Sequence, residues 1–551
     1  MKLLPIEEIA TKINLSSDYL TSHGKYAAKI NLKSIDPIAK QGKLILVTST
    51  TPTPQGEGKT VTTIGISEAL NYIGEKAIAC IRQPSLGPVF GQKGGAAGGG
   101  QAEVVPMEQL NLHLTGDIHA LTSAHNLASA ALDARLFHEN RLRDRFTEKS
   151  GLPRLNIDKN AIVWPRVVDH NDRALRDIYV GKMAENLENV HPAAFDITAA
   201  SELMAILALS KNLQDLRQRI GKVVLAYDMN GREITAEDLE VAGAMTAILQ
   251  KAIEPTLMQT TENTPVIVHA GPFANIAHGN SSIIADDIAL SLADYVVTEA
   301  GFGSDMGMEK FFNIKARTSG VFPSCIVVVS TVKSIKANCV TDNPTAIEML
   351  ECGARNLGWH IHNAKRYGLP VIVAINAFPN DTVEELAFIR SFALENGAVD
   401  CEISNAYAEG GKGASILAEK IVKACESDQK AQLLYGDDLN LQEKIFAVAS
   451  TYGATEVDYS PEAMAILQKL EAEGYGNLPV CIAKTPASIS HDPKIKNVPA
   501  PFILPVKTLQ LAKGAGFIKV LLGDVMTMPG LGLNPAYRNI DIDEDGNIVG
   551  L

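Results

Sequence analysis

The residues most able to do chemistry lie in one stretch, Ser49-Thr50-Thr51-Pro52-Thr53-Pro54-Gln55-Gly56-Glu57-Gly58-Lys59-Thr60. It follows the apolar run Leu44-Ile45-Leu46-Val47-Thr48. It precedes a helix-like stretch from Val61 to Ile73, with Gly74 placed to cap it. Strand, glycine-containing loop, Gly-Lys-Thr and helix form the setting in which inward-pointing backbone N–H groups bind phosphate oxygens. Lys59 would reach the β- and γ-phosphates of a nucleotide, and Thr60 would offer its hydroxyl to Mg²⁺. Gly56 and Gly58 would let the backbone curl close to the anion. The usual pattern opens on glycine where this chain has Thr53, so the reading rests on the strand-and-helix context.

A second cluster begins after the strand-like Ile78-Ala79-Cys80-Ile81. Arg82 stands at its carboxyl end, where a guanidinium can grip a carboxylate or acyl phosphate through two parallel hydrogen bonds. The run Lys93-Gly94-Gly95-Ala96-Ala97-Gly98-Gly99-Gly100 follows. Its lysine and alanines favour close backbone packing or a ligand loop over a flexible spacer. His113 and His119 flank Asp117, but no third ligand at regular spacing supports a metal site. Acid–base or positioning roles suit the histidines better, with a structural role as the alternative.

These residues need a frame that gathers strand ends. Val- and Ile-rich runs at Leu44–Thr48, Lys222–Tyr227, Val266–Ala270, Tyr295–Thr298, Cys325–Val329 and Pro370–Ile375 alternate with amphipathic stretches. That alternation predicts an α/β fold with a parallel sheet, whose ligands sit beyond the carboxyl ends of the strands. With 551 residues, two or three domains are expected. The divisions read as a P-loop nucleotide- and small-anion-binding domain over 1–360, an α/β accessory domain over 361–480 and a C-terminal accessory domain over 481–551. The segment from Pro499 to Pro535 reads as short strands and turns.

The formal net charge of −13 argues against a nucleic-acid surface, so any anion must be held by a local positive site. The seven cysteines are scattered and form no CxxC pair, which argues against a disulfide framework or a structural zinc. They read as buried or unreactive thiols in a reducing compartment. No apolar leader and no membrane-length run is present, so a cytoplasmic protein is expected.

The loop Thr53–Thr60, the run Lys93–Gly100 and Leu114-Thr115-Gly116-Asp117-Ile118-His119-Ala120 together resemble the formate–tetrahydrofolate ligase family. So do His269-Ala270-Gly271-Pro272-Phe273-Ala274-Asn275-Ile276-Ala277-His278-Gly279, Thr298-Glu299-Ala300-Gly301-Phe302-Gly303 and Met526-Thr527-Met528-Pro529-Gly530-Leu531. The resemblance extends over almost the whole chain. It implies a homotetramer with a P-loop NTPase-like α/β core and smaller α/β accessory domains. It implies that ATP phosphorylates formate and that N10 of tetrahydrofolate attacks the formyl phosphate. It also implies Mg²⁺, and in many members a monovalent cation. Arg82 would hold formate and then formyl phosphate, Lys59 and Thr60 would serve the nucleotide, and His113 and His119 match family histidines at the site. Phe302 matches a position expected to stack on the pterin or the base. The ligase pattern starts within the first residues, which suggests a monofunctional chain.

Several family positions are altered. Gln101 stands where Tyr is usual, Tyr407 where Trp is common, and Gln83 where many bacterial members carry Glu. Lys333 replaces Arg, and Cys339 and Val340 replace glycines. Glu299 and Asp305 are the candidates for a Mg²⁺ carboxylate. Two other readings compete with the ligase. An enzyme passing an acyl phosphate to another acceptor would need formate but no folate. A P-loop ATPase switch would ignore formate, and it has no use for a carboxylate clamp at Arg82.

Overall fold

The structure, a computed structural model, describes residues 2–32, 41–53, 56–93, 96–182, 188–341 and 344–551. It is built around a twelve-stranded sheet. The strands are β1 (Leu20–Ser22), β2 (Ala28–Ile30), β3 (Lys43–Ser49), β4 (Ala77–Ile81), β5 (Gly98–Gly99) and β6 (Ala102–Val105). They continue with β7 (Thr256–Thr260), β8 (Pro265–Val268), β9 (Tyr295–Glu299), β10 (Cys325–Ser330), β11 (Val371–Asn376) and β12 (Asp400–Ser404). Their order is β1-β2-β7-β8-β4-β9-β3-β10-β11-β12, with β6 against β7 and β5 against β6.

From β8 to β12 every pairing is parallel. The strands inside this parallel part are covered on both faces, which is why they read as apolar runs, whereas the edge strand β12, Asp400-Cys401-Glu402-Ile403-Ser404, is only partly buried. β4, β10 and β11 are buried along their whole length. The helix after β3, α1 (Lys59–Tyr72), starts two residues before the expected Val61 and is capped by Ile73, with Gly74 left-handed at φ 97° just beyond. It lies against the segment that follows β12. A Cβ on Gly65 would sit 2.2 Å from that of Ala406, so only glycine permits this approach.

Five of the six strands expected from apolar runs belong to the parallel part of the sheet. The run at 222–227 does not. It forms Val224–Asp228 in a separate three-stranded sheet, antiparallel to Ile157–Ile162 and Glu233–Thr235. The reason is the tight turn after it. Asp228 N–H donates to the Arg232 carbonyl at 2.9 Å and Gly231 is left-handed, so the chain returns as a hairpin with no room for a crossover helix.

β11 and β12 extend the main sheet past residue 360, so a division there would run between hydrogen-bonded neighbours. Strand Ala454–Tyr459 pairs with Phe502–Val506, which likewise joins the two sides of residue 480. The stretch expected to hold short strands and turns contains Phe502–Val506, Thr508–Ala512 and Phe517–Leu521. Among the described residues no helix is long and apolar enough to cross a membrane.

Buried ion pairs lock the layers. Lys29 reaches Asp117, Lys315 reaches Asp286 and Lys484 reaches Asp305, each at 2.6 Å and each fully enclosed. Removing one partner of such a pair leaves an uncompensated charge, at a cost of about 3–5 kcal/mol.

Glu68 lies on α1 and is 1% exposed. Burial pushes its carboxyl up to about 8, against an ordinary value of 4.5, and donors from Thr260, Glu262 and Thr261 only partly offset this. A carboxyl raised on folding supports the folded state while protonated. That contribution is complete below the unfolded value and is lost progressively as pH rises toward 8. Urea unfolding should therefore show stability falling from about pH 5 to about pH 8, and Glu68→Gln should remove on the order of 1–3 kcal/mol of that fall. An unchanged slope in the variant would show that Glu68 is already ionised in the folded protein.

Candidate functional site

Because β8, β4, β9, β3, β10, β11 and β12 run in one direction, their carboxyl ends share one edge of the sheet. Nearly all the residues singled out from the sequence emerge there. β3 leads into the Gly-Lys-Thr loop, β4 into Arg82, β9 into Glu299 and Phe302, β11 ends on Asn376, and β12 precedes Tyr407.

The loop is shaped by its own polar groups. Glu57 is buried and its Oε1 accepts the Thr53 N–H at 2.7 Å, while Gly56 N–H donates to the Thr53 carbonyl at 3.0 Å. Thr53 thus closes the loop through its backbone, and its amide is engaged by Glu57. The donors left to face a ligand come from the later residues and from the first turn of α1. Gly56 and Gly58 are both left-handed, at φ 77° and 75°. Gly58 also abuts Asn376, whose Nδ2 donates to the Glu57 carbonyl at 3.2 Å. Pro54 and Gln55 lie outside the described residues, as do Gly94 and Gly95 of the glycine run.

Lys59 Nζ donates to Ser49 Oγ at 3.0 Å, and that hydroxyl lies 3.1 Å from the Phe302 carbonyl. Phe302 is left-handed at φ 59°, a rare conformation for an aromatic residue. Thr60 Oγ1 donates to Glu299 Oε2 at 2.9 Å, and Arg82 Nη2 contacts Glu299 Oε1 at 3.3 Å. One carboxylate therefore joins the loop hydroxyl to the arginine. The guanidinium also reaches the Pro272 carbonyl at 3.4 Å, while its Nε is buried without a partner. About a quarter of the Arg82 side chain (24%) stays accessible, enough to meet a small anion. Gly301 packs beside it, since a Cβ there would lie 3.1 Å from Nη1.

The loop is braced from α3 (Ala346–Lys365). Asn356 Nδ2 donates to Thr51 Oγ1 at 2.9 Å, and His360 Nε2 meets the same oxygen at 3.0 Å. His360 Nδ1 meets Ser304 Oγ at 2.7 Å, and burial holds this imidazole down to about 4, so it is neutral. Sequence reasoning missed Asn356 and His360, because nothing in a helical stretch about 300 positions away marks it as a partner of Thr51. Asp305 is buried against Lys484 at 2.6 Å, which withdraws it from the Mg²⁺ candidates. Glu299 remains beside Thr60. A hydroxyl and one carboxylate are a suitable protein share for Mg²⁺, which takes its other oxygens from phosphates and water. Among the described residues no group of three or more His, Cys, Asp or Glu gathers into a metal site.

His113 and His119 are brought together, with Nδ1 and Nε2 2.8 Å apart. His119 is in the first turn of α2 (Asp117–Leu142) and lies close enough to Asp169 to influence its charge. Asp169 in turn accepts from Ser85 Oγ at 2.6 Å and from the Leu86 N–H at 2.9 Å, just past Arg82. Asp117, between the histidines in sequence, is used up by Lys29. Gln83 is buried beside Arg82 with an unpartnered Oε1. Tyr407 is 59% exposed, and its carbonyl accepts the Gln101 N–H at 2.8 Å. Gly99 and Gly100 press on its ring and backbone, so this part of the glycine run is a packed hairpin, β5–β6. Lys333 is exposed.

A mostly parallel sheet whose carboxyl edge gathers a glycine-containing loop, an arginine and a shared carboxylate has the architecture of α/β enzymes, which bind ligands at that edge. A family model for formate–tetrahydrofolate ligase matches residues 1–551. A formate–tetrahydrofolate ligase of Yersinia enterocolitica serotype O:8 / biotype 1B is 58% identical over 561 aligned residues, spanning all of this chain and 96% of the relative. One of Aeromonas hydrophila subsp. hydrophila is 57% identical over 568, spanning all of this chain and 98% of that relative. The chain belongs to the formate–tetrahydrofolate ligase family.

Alanine at the two loop glycines should separate strain from contact. Gly56→Ala meets nothing within 4 Å and should cost only the left-handed strain, about 1–2 kcal/mol. Gly58→Ala adds to that strain a Cβ 2.3 Å from Asn376 Nδ2 and should lower the thermal midpoint clearly further, read by calorimetry. Equal effects of the two changes would show that the Asn376 contact does not shape the loop.

Proposed function

We propose that the chain joins formate to tetrahydrofolate at the expense of ATP, through formyl phosphate, releasing 10-formyltetrahydrofolate, ADP and phosphate. The observation that carries this reading is the Glu299 bridge. It sets the phosphate end of the loop and the Arg82 guanidinium side by side, where a γ-phosphoryl group and a carboxylate must meet.

Formate is a poor electrophile, because its carboxylate is anionic and resonance-stabilised. Transfer of the γ-phosphoryl group to a formate oxygen supplies a leaving group and removes that charge from the carbonyl. N10 of the folate then adds to the carbonyl carbon, and phosphate departs. Such steps depend on positioning and charge neutralisation more than on covalent help. In this reading the loop is a P-loop. Its helix-terminal amides and Lys59 hold the β- and γ-phosphates, and Arg82 holds formate and then the acyl phosphate with the donors it has left. Thr60 and Glu299 would hold Mg²⁺, which neutralises phosphate charge when bound.

The His113–His119 pair is suited to accepting the proton that N10 loses. Phe302 and Tyr407 would offer ring faces to the pterin or the base. The unpartnered Gln83 Oε1 is a place for a monovalent cation, and as a neutral amide it would hold one less firmly than a carboxylate. With the loop and Arg82 in place and the departures elsewhere, nucleotide and formate handling are expected to persist while folate affinity and cation response differ. A homotetramer in the cytoplasm completes the reading.

The test is formation of 10-formyltetrahydrofolate with formate, Mg·ATP and tetrahydrofolate each omitted in turn. Product should need all three. Arg82→Ala should lower kcat/KM for formate by about 10²–10³-fold, the range for loss of one charge-stabilising group. Glu299→Gln should raise the Mg²⁺ requirement while the protein stays folded. Formate-dependent ATP consumption without formylated folate would instead favour another acceptor.

A further inference from the structure

Seven cysteines are unbridged, and five of them are buried. The other two, Cys339 and Cys352, are partly accessible. They are far from any CxxC spacing, yet the fold brings them together. Helix Val332–Ala337 packs against α3 so closely that a Cβ on Gly353 would lie 1.8 Å from the Ile335 carbonyl oxygen. This backbone-to-backbone contact delivers the end of the short helix, and Cys339 just beyond it, to the second turn of α3, where Cys352 sits.

Donors surround the Cys352 sulfur. The Thr341 hydroxyl donates to it at 3.4 Å, and Cys339 and the backbone of Val340 and Thr341 are near enough to stabilise its thiolate. Burial alone would push this thiol up, but the donors outweigh burial and hold it below its ordinary value. A sulfur held in a nest of donors and open to solvent is the attacking partner in thiol–disulfide exchange. Cys339, brought beside it by the packing of the two helices, is the resolving partner.

We propose that Cys339 and Cys352 are a thiol-modification site that closes reversibly to a disulfide with low-molecular-weight disulfides such as oxidised glutathione. The Cys352 thiolate attacks one sulfur of the reagent and expels the first glutathione thiolate. The Cys339 thiolate then attacks Cys352 in the mixed disulfide and expels the second. Two S–H bonds and the reagent's S–S bond are lost, one protein S–S bond forms, and two glutathione thiols carry away the electrons and protons. The site sits on the helix that, one and two turns further on, offers Asn356 and His360 to Thr51. The proposal is independent of the ligase reaction.

The test is incubation of the full-length protein with oxidised glutathione, followed by thiol titration under denaturing conditions and mass spectrometry of an alkylated, unreduced digest. Titratable thiols should fall from seven to five. One Cys339–Cys352 linked peptide should appear, and dithiothreitol should reverse it. Cys339→Gly, which has six thiols, should leave five titratable, with no linked peptide and glutathione retained on Cys352. Cys352→Ser should keep all six of its thiols. Stable glutathione on either cysteine of the unaltered protein, a bridge between other cysteines, or seven thiols remaining would each overturn the proposal.

Discussion

The site depends on a single carboxylate placed at a strand end. Glu299 is 6% exposed, and each of its oxygens has a partner on a different element, Thr60 on one side and Arg82 on the other. A carboxylate this enclosed is tolerable only when both oxygens are engaged. That need ties the loop after β3 to the segment after β4 through the strand lying between them. The order β4-β9-β3 makes the bridge possible, because Glu299 leaves the sheet midway between the two groups it joins. The same carboxylate keeps the guanidinium oriented without exhausting its five donors.

Close approach around this bridge is secured by small residues and by helix α3. Gly301 leaves room for the guanidinium, and its N–H donates to the Gly279 carbonyl at 2.9 Å, linking the β9 loop to the loop after β8. On the other side, Thr51 is held by Asn356 and by the neutral ring of His360, which also holds Ser304. The loop is therefore fixed from behind as well as from its own strand. The fully buried Lys484–Asp305 pair anchors the next turn of the chain after Phe302 to the C-terminal part of the molecule. The edge of the sheet is thus rigid where charge is to be placed.

Much of this was legible in the sequence. Runs such as Cys325–Val329 and Pro370–Ile375 are long enough and apolar enough to need cover on both faces, and they became parallel strands. The run at 222–227 looks the same, but what decides its fate is the turn after it, which sends the chain straight back. Lys59, Thr60, Arg82 and Glu299 were visible because each follows a strand and carries a suitable group. Asn356 and His360 were not, because their significance exists only through contact with Thr51. Asp305 had the right chemistry and the wrong neighbour, a buried lysine from far along the chain. The cysteines, read as uniformly unreactive, divide into five buried thiols and one accessible pair, a division set by packing at Gly353.

The departures from the family pattern also gain meaning in space. Gln101 and Tyr407 are about 300 positions apart in the sequence, yet they are hydrogen-bonded through the Gln101 N–H and the Tyr407 carbonyl at 2.8 Å. Both stand where the family more often has a larger aromatic ring, and both lie at the hairpin formed by β5 and β6. Gly100 can approach Tyr407 only because it lacks a side chain, its virtual Cβ falling 2.1 Å from the Tyr407 oxygen. The backbone geometry of the hairpin is therefore demanding, whereas the side chains on it have changed. The variation at 101 and 407 therefore falls on side chains at the hairpin, in positions apart from the Glu299 bridge to Thr60 and Arg82.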